Sequence, residues 1–405
     1  MANIFARSPY IITVNASGQI GSKIEVFIWN GTGSIPPLPQ YTLSKLIPSS
    51  ANINTEYDIS PYVREYLSHV STQSPVALST SFTDLATTQW CNVTIKRYKL
   101  TGTTYTLLDS ATHYAHDGYS FYELGYNYDN GRFLLEQKEY FYNEDATYAG
   151  EVAMYLNSGE KVKYGESFTS NSATINTTAI FGGTRDITTI SLTITKAFED
   201  TKAGAAAYFG GSVPTIFGSP SNTGRTITAG TTELYTVATS KWYTIPRVSG
   251  SLNKLSILSS SDVVLATWDF TPICEPKYTP VVIDFINKYG AWQREFFFKA
   301  SKTNISIESN DYNVMQSSSN YDVLQGQKRS FNTNGMETIS VNSGYVNEDF
   351  SSNIKQLLMS ERILIDNKPA VCKTKSLELM KNINNHMINY SLEFEFAYNS
   401  INNVI

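Results

Sequence analysis

The stretch from Tyr278 to Lys302, YTPVVIDFINKYGAWQREFFFKASK, constrains the fold more than any other part of the chain. Residues 281–286 and 292–298 are two runs of β-branched and aromatic residues, and Gly290 between them supplies the backbone freedom of a tight reversal. This pattern predicts a β-hairpin. The first run is apolar on both sides, which is typical of a strand covered on two faces. We expect the hairpin to anchor a core, because burying each such side chain contributes about 1.5–3 kcal/mol.

The composition favours strands and turns over long solvated helices. Of 405 residues, 17% are charged, below the usual share in soluble proteins, and 13% are aromatic, led by 27 Tyr and 20 Phe. Such a composition is typical of β structure with tyrosine-rich contact surfaces. The net charge is −5 and the sequence has no strong basic block, so we expect no direct nucleic-acid partner.

The sequence also bears on location and redox chemistry. It holds no apolar run of about 18 residues, and its beginning, MANIFARSPYIITV, lacks the basic-then-apolar order of a signal peptide. We therefore expect a protein that is made in a cytoplasm and does not insert into a membrane. Cys91, Cys274 and Cys372 are odd in number and far apart, which indicates buried thiols rather than a disulfide framework or a zinc knuckle.

Short strands separated by turn residues predict a mainly β protein with tandem antiparallel β-sandwich domains of immunoglobulin or fibronectin type. The first domain is expected over residues 1–128, with a short helix at residues 57–68 for which Ser60 is the N-cap. The second is expected over residues 129–303. It carries a Gly/Ser/Thr-rich insertion at about residues 167–240, and the hairpin closes it.

Residues 304–405 predict a C-terminal α+β assembly module. Residues 347–360 have apolar side chains at helical spacing and acidic residues near the positive N-terminal end, so they predict a helix. Residues 387–398 alternate large apolar side chains with glutamates and predict an amphipathic strand. We expect this strand to pack against the helix and to pair near a strand at residues 361–366.

Two groups of residues are candidates for a metal site or a catalytic site. His113 and His116 are the one cluster that resembles metal ligands, but on a strand residues three apart point to opposite faces, so joint ligation needs a turn. An exposed loop is the expectation that we favour for them. Asp284, on an apolar strand, is either a buried catalytic carboxylate or a structural residue that pairs with a neighbour such as Arg294 across the hairpin or caps a turn. The structural role is the commoner one.

The remaining candidates for a functional site are a pair of glutamates and two pairs of glycines. Glu393 and Glu395 share one face of a strand, as a carboxylate pair in a glycosidase does, but a solvated or interface-facing stripe is the more usual reason. The glycine pairs at residues 182–183 and 210–211 lie in polar loops without a following helix, so they do not predict phosphate cradles. We expect no enzyme, and we assign no catalytic, cofactor-binding or metal-binding residue and no cofactor.

Residues 114–128, YAHDGYSFYELGYNY, form a tyrosine-rich stretch in which residues 119–124 predict a strand. Packing inside the sandwich is the expectation that we favour for it. Stacking against sugar rings and contact with another protein are the alternatives.

Seven stretches near the two ends of the chain form a recognisable set: RSPYIITV (7–14), KIEVFIWNG (23–31), DISPYVREYL (58–67), INKYGAWQREFFF (286–298), LLMSERILID (357–366), PAVCKTKS (369–376) and NYSLEFEFAY (389–398). Together they resemble virion structural proteins of tailed bacteriophages, in the style of the crAss-like and related phages that infect Bacteroidetes. The resemblance covers residues 7–67 and 278–398. It implies a component of the tail, baseplate or neck that contacts other virion proteins and copies of itself.

Three hypotheses about function follow. The first is a non-enzymatic virion structural protein that acts as an assembly or fibre-attachment adaptor, assembled in the host cytoplasm and located in the virion. The second is a carbohydrate-binding adhesin or receptor-binding protein at the tail tip, for which the tyrosine-rich stretch and the insertion at residues 167–240 are the motivation. Its partner would be a host surface glycan. The third and weakest is a depolymerase.

Overall fold

The computed structural model describes residues 2–31, 33–47, 53–70, 83–84, 89–125, 131–134, 138–142, 151–164, 169–174, 191–193, 226–229, 233–246, 254–273, 277–316, 318–376 and 387–401. The chain forms two compact units. The larger contains residues 1–157, 240–250 and 270–405, and the smaller contains residues 158–239 and 251–269. The protein is mainly β with several antiparallel sheets, as the sequence predicts.

Helices are few among the described residues. They are α1, Ser60–Val70, and α2, Ser351–Leu358, with short 3₁₀ turns at Tyr122–Leu124, Val323–Gln325 and Glu348–Phe350. The first ten strands, β1 to β10, are Asn3–Phe5, Ile11–Val14, Gly21–Asn30, Tyr41–Leu46, Thr55–Asp58, Thr83–Asp84, Trp90–Thr101, Thr104–His116, Lys138–Tyr142 and Glu151–Leu156. Strands β11 to β18 are Lys161–Tyr164, Thr169–Thr174, Ser191–Thr193, Thr226–Ala229, Glu233–Thr236, Lys241–Pro246, Lys254–Leu258 and Val264–Ile273. Strands β19 to β25 are Val281–Ile286, Trp292–Phe297, Lys302–Asn313, Lys328–Asn347, Ile363–Ile365, Lys368–Cys372 and Met387–Phe396.

A five-stranded sheet in the order β1-β8-β7-β3-β4 organises the N-terminal part of the larger unit. Its pairings are antiparallel except that of β1 with β8. Helix α1 packs on this sheet, since Ile59, Val63 and Val93 belong to one cluster of buried side chains. The predicted helix forms, but Ser60, expected as its N-cap, is its first residue, and residues 57–58 end strand β5. Asp58 Oδ1 accepts hydrogen bonds from the backbone N–H and the hydroxyl of Ser60, at 3.0 and 2.7 Å, which fixes the entry to the helix.

A seven-stranded antiparallel sheet in the order β20-β19-β23-β24-β25-β22-β21 holds the largest core cluster. The predicted hairpin is confirmed, because β19 and β20 pair along their whole lengths. Gly290 lies in the turn between them with a φ of +82°. Ile283, Phe285 and Phe297 are fully buried in the cluster, so the hairpin does anchor a core.

The structure corrects our expectation that the hairpin closes the second predicted domain. The other edge of β19 pairs with β23, where Ile283 lies opposite Ile365 and Phe285 opposite Ile363. The physical reason is that a strand with apolar side chains on both sides gains most from a position inside a large sheet. The division into three domains at residues 128 and 303 otherwise stays a prediction.

Helix α2 and strand β25 pack together, as predicted from their patterns. Ile354 and Leu357 of α2 and Leu392 and Phe394 of β25 belong to the same buried cluster. The helix is shorter than expected, because a 3₁₀ turn precedes it. Strand β25 pairs with β22 and β24. Since β24 lies between β25 and β23, β25 is one strand further from residues 361–366 than we expected.

Buried polar side chains connect the hairpin to α2. Glu295 Oε1 accepts N–H bonds from Gln293 at 2.7 Å and from Asn353 at 2.8 Å. Asn287 Nδ2 donates to Gln293 Oε1 at 3.2 Å and to the backbone carbonyl of Leu134 at 2.9 Å. The polar side chains in this network are almost completely buried. Their mutual bonds offset the cost of removing polar groups from water, so they fix the position of the helix on the hairpin.

The turn of the hairpin meets the end of β8 backbone against backbone. The N–H of Tyr119 donates to the carbonyl of Lys288 at 2.7 Å. A Cβ on Gly290 would lie 2.6 Å from the nitrogen of Asp117, and one on Gly118 would lie 2.6 Å from the oxygen of Lys288. Glycine at both positions therefore permits the close approach of the two segments.

The strand predicted at residues 119–124 does not form. Tyr122–Leu124 is a 3₁₀ turn that ends at Gly125, which has a φ of +67°. The N–H of Tyr119 is bonded to the hairpin turn, and that of Ser120 donates to the hydroxyl of Ser8 at 2.7 Å. Because these donors are used for contacts with other segments, they cannot contribute to a strand ladder.

In the smaller unit, β11 pairs with β15 and β17, β17 pairs with β18, and β12 pairs with β13 and β14. All of these pairings are antiparallel. The insertion expected at about residues 167–240 lies largely outside the described residues. The glycine pairs at residues 182–183 and 210–211 lie wholly outside them.

The alternation in β25 gives a direct stability test. Phe394 is fully buried, whereas Glu393 is exposed. We expect Phe394→Ala to lower the free energy of unfolding by about 3–5 kcal/mol, through lost transfer energy and a cavity. Glu393→Ala should cost under ~1 kcal/mol. Denaturant melts of the two variants measure the difference, and equal midpoints would show that the alternation does not report burial.

Candidate assembly interface

The edge of the seven-stranded sheet extends as a hairpin beyond the strand that supports its base. Strand β22 has 20 residues, and β21 pairs with it from Lys302 to Asn313. Strand β25 supports only the inner half of β22, because their pairing begins at Thr338, opposite Glu395. We call residues 305–337 the arm. Its two strands are residues 305–313 and 328–337, and no third strand among the described residues pairs with them.

Local contacts hold the strands of the arm together. Lys328 Nζ lies 2.8 Å from Asp311 Oδ2, and the hydroxyl of Ser330 donates to Asp311 Oδ1 at 2.6 Å. On the opposite side of the ribbon, the rings of Tyr312 and Phe331 meet edge to face at 5.5 Å. Together with the alternation of side chains along a strand, these contacts give the outer part of the arm one polar and one aromatic face.

The base of the arm is supported by the end of the described chain. The N–H of Ser400 donates to the carbonyl of Gly335 at 2.8 Å. Asn334 and Ile401 exchange two hydrogen bonds, at 3.0 and 3.1 Å. These bonds fix the point at which the arm leaves the sheet.

The tip of the arm presents apolar side chains to solvent. Leu324 is 95% exposed, Met315 89% and Val323 79%. Asp322 Oδ1 accepts a hydrogen bond from the N–H of Leu324 at 2.9 Å and caps the 3₁₀ turn that carries this residue. Large apolar side chains that cluster on an exposed projection are typical of a surface that another molecule covers.

The outer edge of β21 is a second feature that suits an interface. All twelve residues of β21 are exposed, and the strand is the last in the order of its sheet. Its outward N–H and C=O groups therefore face away from the sheet and can pair with another strand. A two-stranded ribbon is marginally stable alone in water, so a partner strand would stabilise the arm.

Sequence reasoning missed the arm. It placed these residues in the C-terminal α+β module without predicting either strand. The available signal was the alternation of Thr303, Ile305 and Ile307 with polar residues, followed by a turn-rich stretch at residues 317–320. The signal is short, and neither strand of the arm is apolar enough to predict a buried strand.

Asp284 is part of a buried ion pair, as the more usual reading of the sequence predicted. Arg294 donates from Nε to Asp284 Oδ1 at 2.7 Å and from Nη2 to Oδ2 at 2.8 Å. Both residues lie opposite each other in the hairpin, and Asp284 is nearly inaccessible. This two-point geometry fixes the carboxylate to the neighbouring strand of the hairpin.

The structure places His113 and His116 in different surroundings on β8. His116 is fully buried, and its ring lies 4.7 Å from the ring of Trp242. His113 contacts Tyr10, with ring centroids 6.1 Å apart. Neither lies in the exposed loop that we considered, because both belong to a strand. Within the described ranges, no three His, Cys, Asp or Glu side chains are placed to hold a metal ion.

The two glutamates of β25 also differ in their surroundings. Glu393 is exposed. Glu395 is half-buried, and its Oε2 lies 2.5 Å from Lys373 Nζ. The face of the strand that carries them is therefore partly solvated and partly paired with a neighbouring basic side chain.

The described part of the tyrosine-rich stretch packs mostly inward. Tyr114 contacts Trp90 and Trp242, with ring centroids 5.6 and 6.1 Å apart. Tyr119 is buried, whereas Tyr122 is fully exposed. Residues 126–128 lie outside the described residues. A single exposed tyrosine gives little area for stacking on a sugar ring, so the glycan-binding alternative stays a prediction without support from this stretch.

Burial of His116 predicts a pH dependence of stability. Burial lowers the pKa of His116 from 6.5 to about 3. Because the unfolded chain binds the proton more readily, the stabilising contribution is complete above pH 6.5 and is lost as the pH falls toward 3. Between pH 6.5 and 5, we expect the free energy of unfolding to fall by roughly 1.5–2 kcal/mol more in the unsubstituted protein than in His116→Phe. Urea melts at both pH values measure this, and equal falls in the two proteins would contradict it.

Helices that could cross a membrane are not found in the part of the chain that the structure describes. Comparison of the chain with protein-family models, curated proteins and solved structures finds no match.

Proposed function

We propose that this chain is a non-enzymatic structural protein of a tailed-phage virion, located in the tail, baseplate or neck. It acts as an assembly or fibre-attachment adaptor, and it contacts a neighbouring protein chain through the arm, residues 305–337. Its partners are other virion proteins and copies of itself. The resemblance of residues 7–67 and 278–398 to phage virion proteins supports the place of action.

The observation that carries the proposal is the exposed apolar tip of the arm. Val323 is 79% exposed and Leu324 is 95% exposed. Covering side chains of this size contributes about 1.5–3 kcal/mol each, and an uncovered tip contributes nothing to the stability of the isolated chain. Contact with a partner surface would bury these side chains and would stabilise the complex by this amount.

The charged groups of the larger unit support a structural role. Asp284 is engaged by Arg294 inside the sheet. Glu361 accepts from Arg64 and contacts Arg7, at 3.0 and 3.1 Å, and so connects α1 to the loop that precedes β23. These carboxylates are used to fix segments of the protein to one another, which is the common role of such pairs.

Substitution at the tip tests the proposal in the assembled particle. We expect the double variant Val323→Ser and Leu324→Ser to keep the thermal midpoint of the purified protein, because both side chains are exposed. Its incorporation into particles, measured by quantitative mass spectrometry of purified virions, should fall at least about tenfold, since tenfold corresponds to only 1.4 kcal/mol of lost contact.

Tyr122→Ser is the matched control, because it also removes an exposed apolar side chain from the same unit. This variant should enter particles at the level of the unsubstituted protein. Absence of the unsubstituted chain from purified virions would end the proposal. Equal incorporation of the tip variant and the control would remove the arm from it.

A further inference from the structure

We propose that β21 pairs with β21 of a second copy of this chain, antiparallel and around a two-fold axis at Ile305. The inference rests on the proposed function, and it names the partner of the arm. It makes the two seven-stranded sheets continuous across the axis. Three features of β21 support this pairing: the regular part of its edge, the register and the charges.

The first feature is that only one part of β21 offers a regular edge. From Lys302 to Glu308, the strand pairs with β22 residue for residue. The register then shifts between Glu308 and Asn310, where a bulge interrupts the ladder. The uninterrupted edge is thus seven residues long, KTNISIE, and it contains neither proline nor an interior charge of the kind that blocks edge pairing.

The second feature is that symmetry selects the register. In an antiparallel ladder, opposed residues must both direct their backbone groups toward the partner or both away from it. A two-fold axis at a residue satisfies this condition, and Ile305 is the midpoint of the regular edge. With the axis there, Ile305 lies opposite Ile305 of the second copy, and Thr303 lies opposite Ile307. An axis at Ser306 would bring the bulge into the ladder, and an axis at Asn304 would shorten the paired part of β21 to residues 302–306.

The third feature is charge complementarity. The same register places Lys302 opposite Glu308 of the second copy, once at each end of the paired segment. Both side chains are exposed, and their neighbours across β22, Ser340 and Asn334, carry no charge. Exposed ion pairs add little affinity, but like charges in these positions would oppose pairing, so the charges select this register over others.

The apolar side chains of the regular edge of β21 all lie on one face of the sheet. Thr303, Ile305 and Ile307 share the face of β21 that lies beside Ile339, which is buried in the core of the sheet. Ile305 and Ile307 are exposed in the single chain. Pairing two copies brings their isoleucines side by side on one face and extends the apolar face of the core across the axis.

Charge reversal tests this with the full chain. We expect sedimentation velocity to show a reversible dimer of the unsubstituted protein. Lys302→Glu and Glu308→Lys should each weaken self-association by about tenfold or more, because each opposes like charges at both ends. The double variant Lys302→Glu with Glu308→Lys restores opposite charges and should associate within about threefold of the unsubstituted protein.

Cysteine substitution gives a second readout that does not depend on charge. In the proposed register, Cβ atoms of directly opposed residues lie about 4.5–5.5 Å apart. Ile305→Cys should therefore form an intermolecular disulfide under mild oxidation, whereas Ile307→Cys, which faces Thr303, should not. Cys91 and Cys372 are buried, and the unsubstituted protein shows the background of all three native cysteines. Matching thermal midpoints identify variants that have folded.

A monomer at all concentrations, a double variant that does not recover, or equal crosslinking of the two cysteine variants would overturn the inference. These results leave the proposed function intact if the chain is found in virions and the tip variant is excluded from them. Conversely, a dimer with the expected charge rescue in a chain that is absent from virions would uphold the pairing and end the proposed function.

Discussion

Strand β22 is twice as long as β25, the strand that pairs with its inner half. It has 20 residues and β25 has 10, and their register leaves residues 328–337 beyond the last paired position. The inner half of β22 completes the core, where Ile339 and Val341 are buried. The outer half carries β21 into solvent. This difference in length separates a packed body from a projection whose backbone edge and apolar tip suit contact with another chain.

The parts of the fold that could be predicted are those whose physical cause is local. The hairpin of β19 and β20 follows from two apolar runs around Gly290, and helix α2 and strand β25 follow from periods of 3.6 and 2 residues. The ion pair of Asp284 and Arg294 follows from their opposed positions in that hairpin. In each case, a pattern of a few residues specifies both the element and the side that it buries.

The parts that could not be predicted depend on distant partners. Nothing local indicates that β19 pairs with β23, about eighty positions further along the chain. Residues 119–124 have the composition of a strand, yet their backbone donors are used by the hairpin turn and by Ser8. The arm escaped prediction because its strands are polar and form by continuing β22 outward from the core. The candidate interface was therefore visible only after the register of β22 and β25 was known.

An electron cryomicroscopy reconstruction of the assembled virion, with this chain placed in it, tests the central claim most directly. The quantity to measure is the solvent exposure of Leu324 and of the outer edge of β21 in each copy. Our account predicts that protein density from a neighbouring chain covers the arm, and that the outer edge of β21 lies about 5 Å from a strand of a neighbouring chain, the usual spacing in a sheet. An arm that stands in solvent in every copy would contradict it.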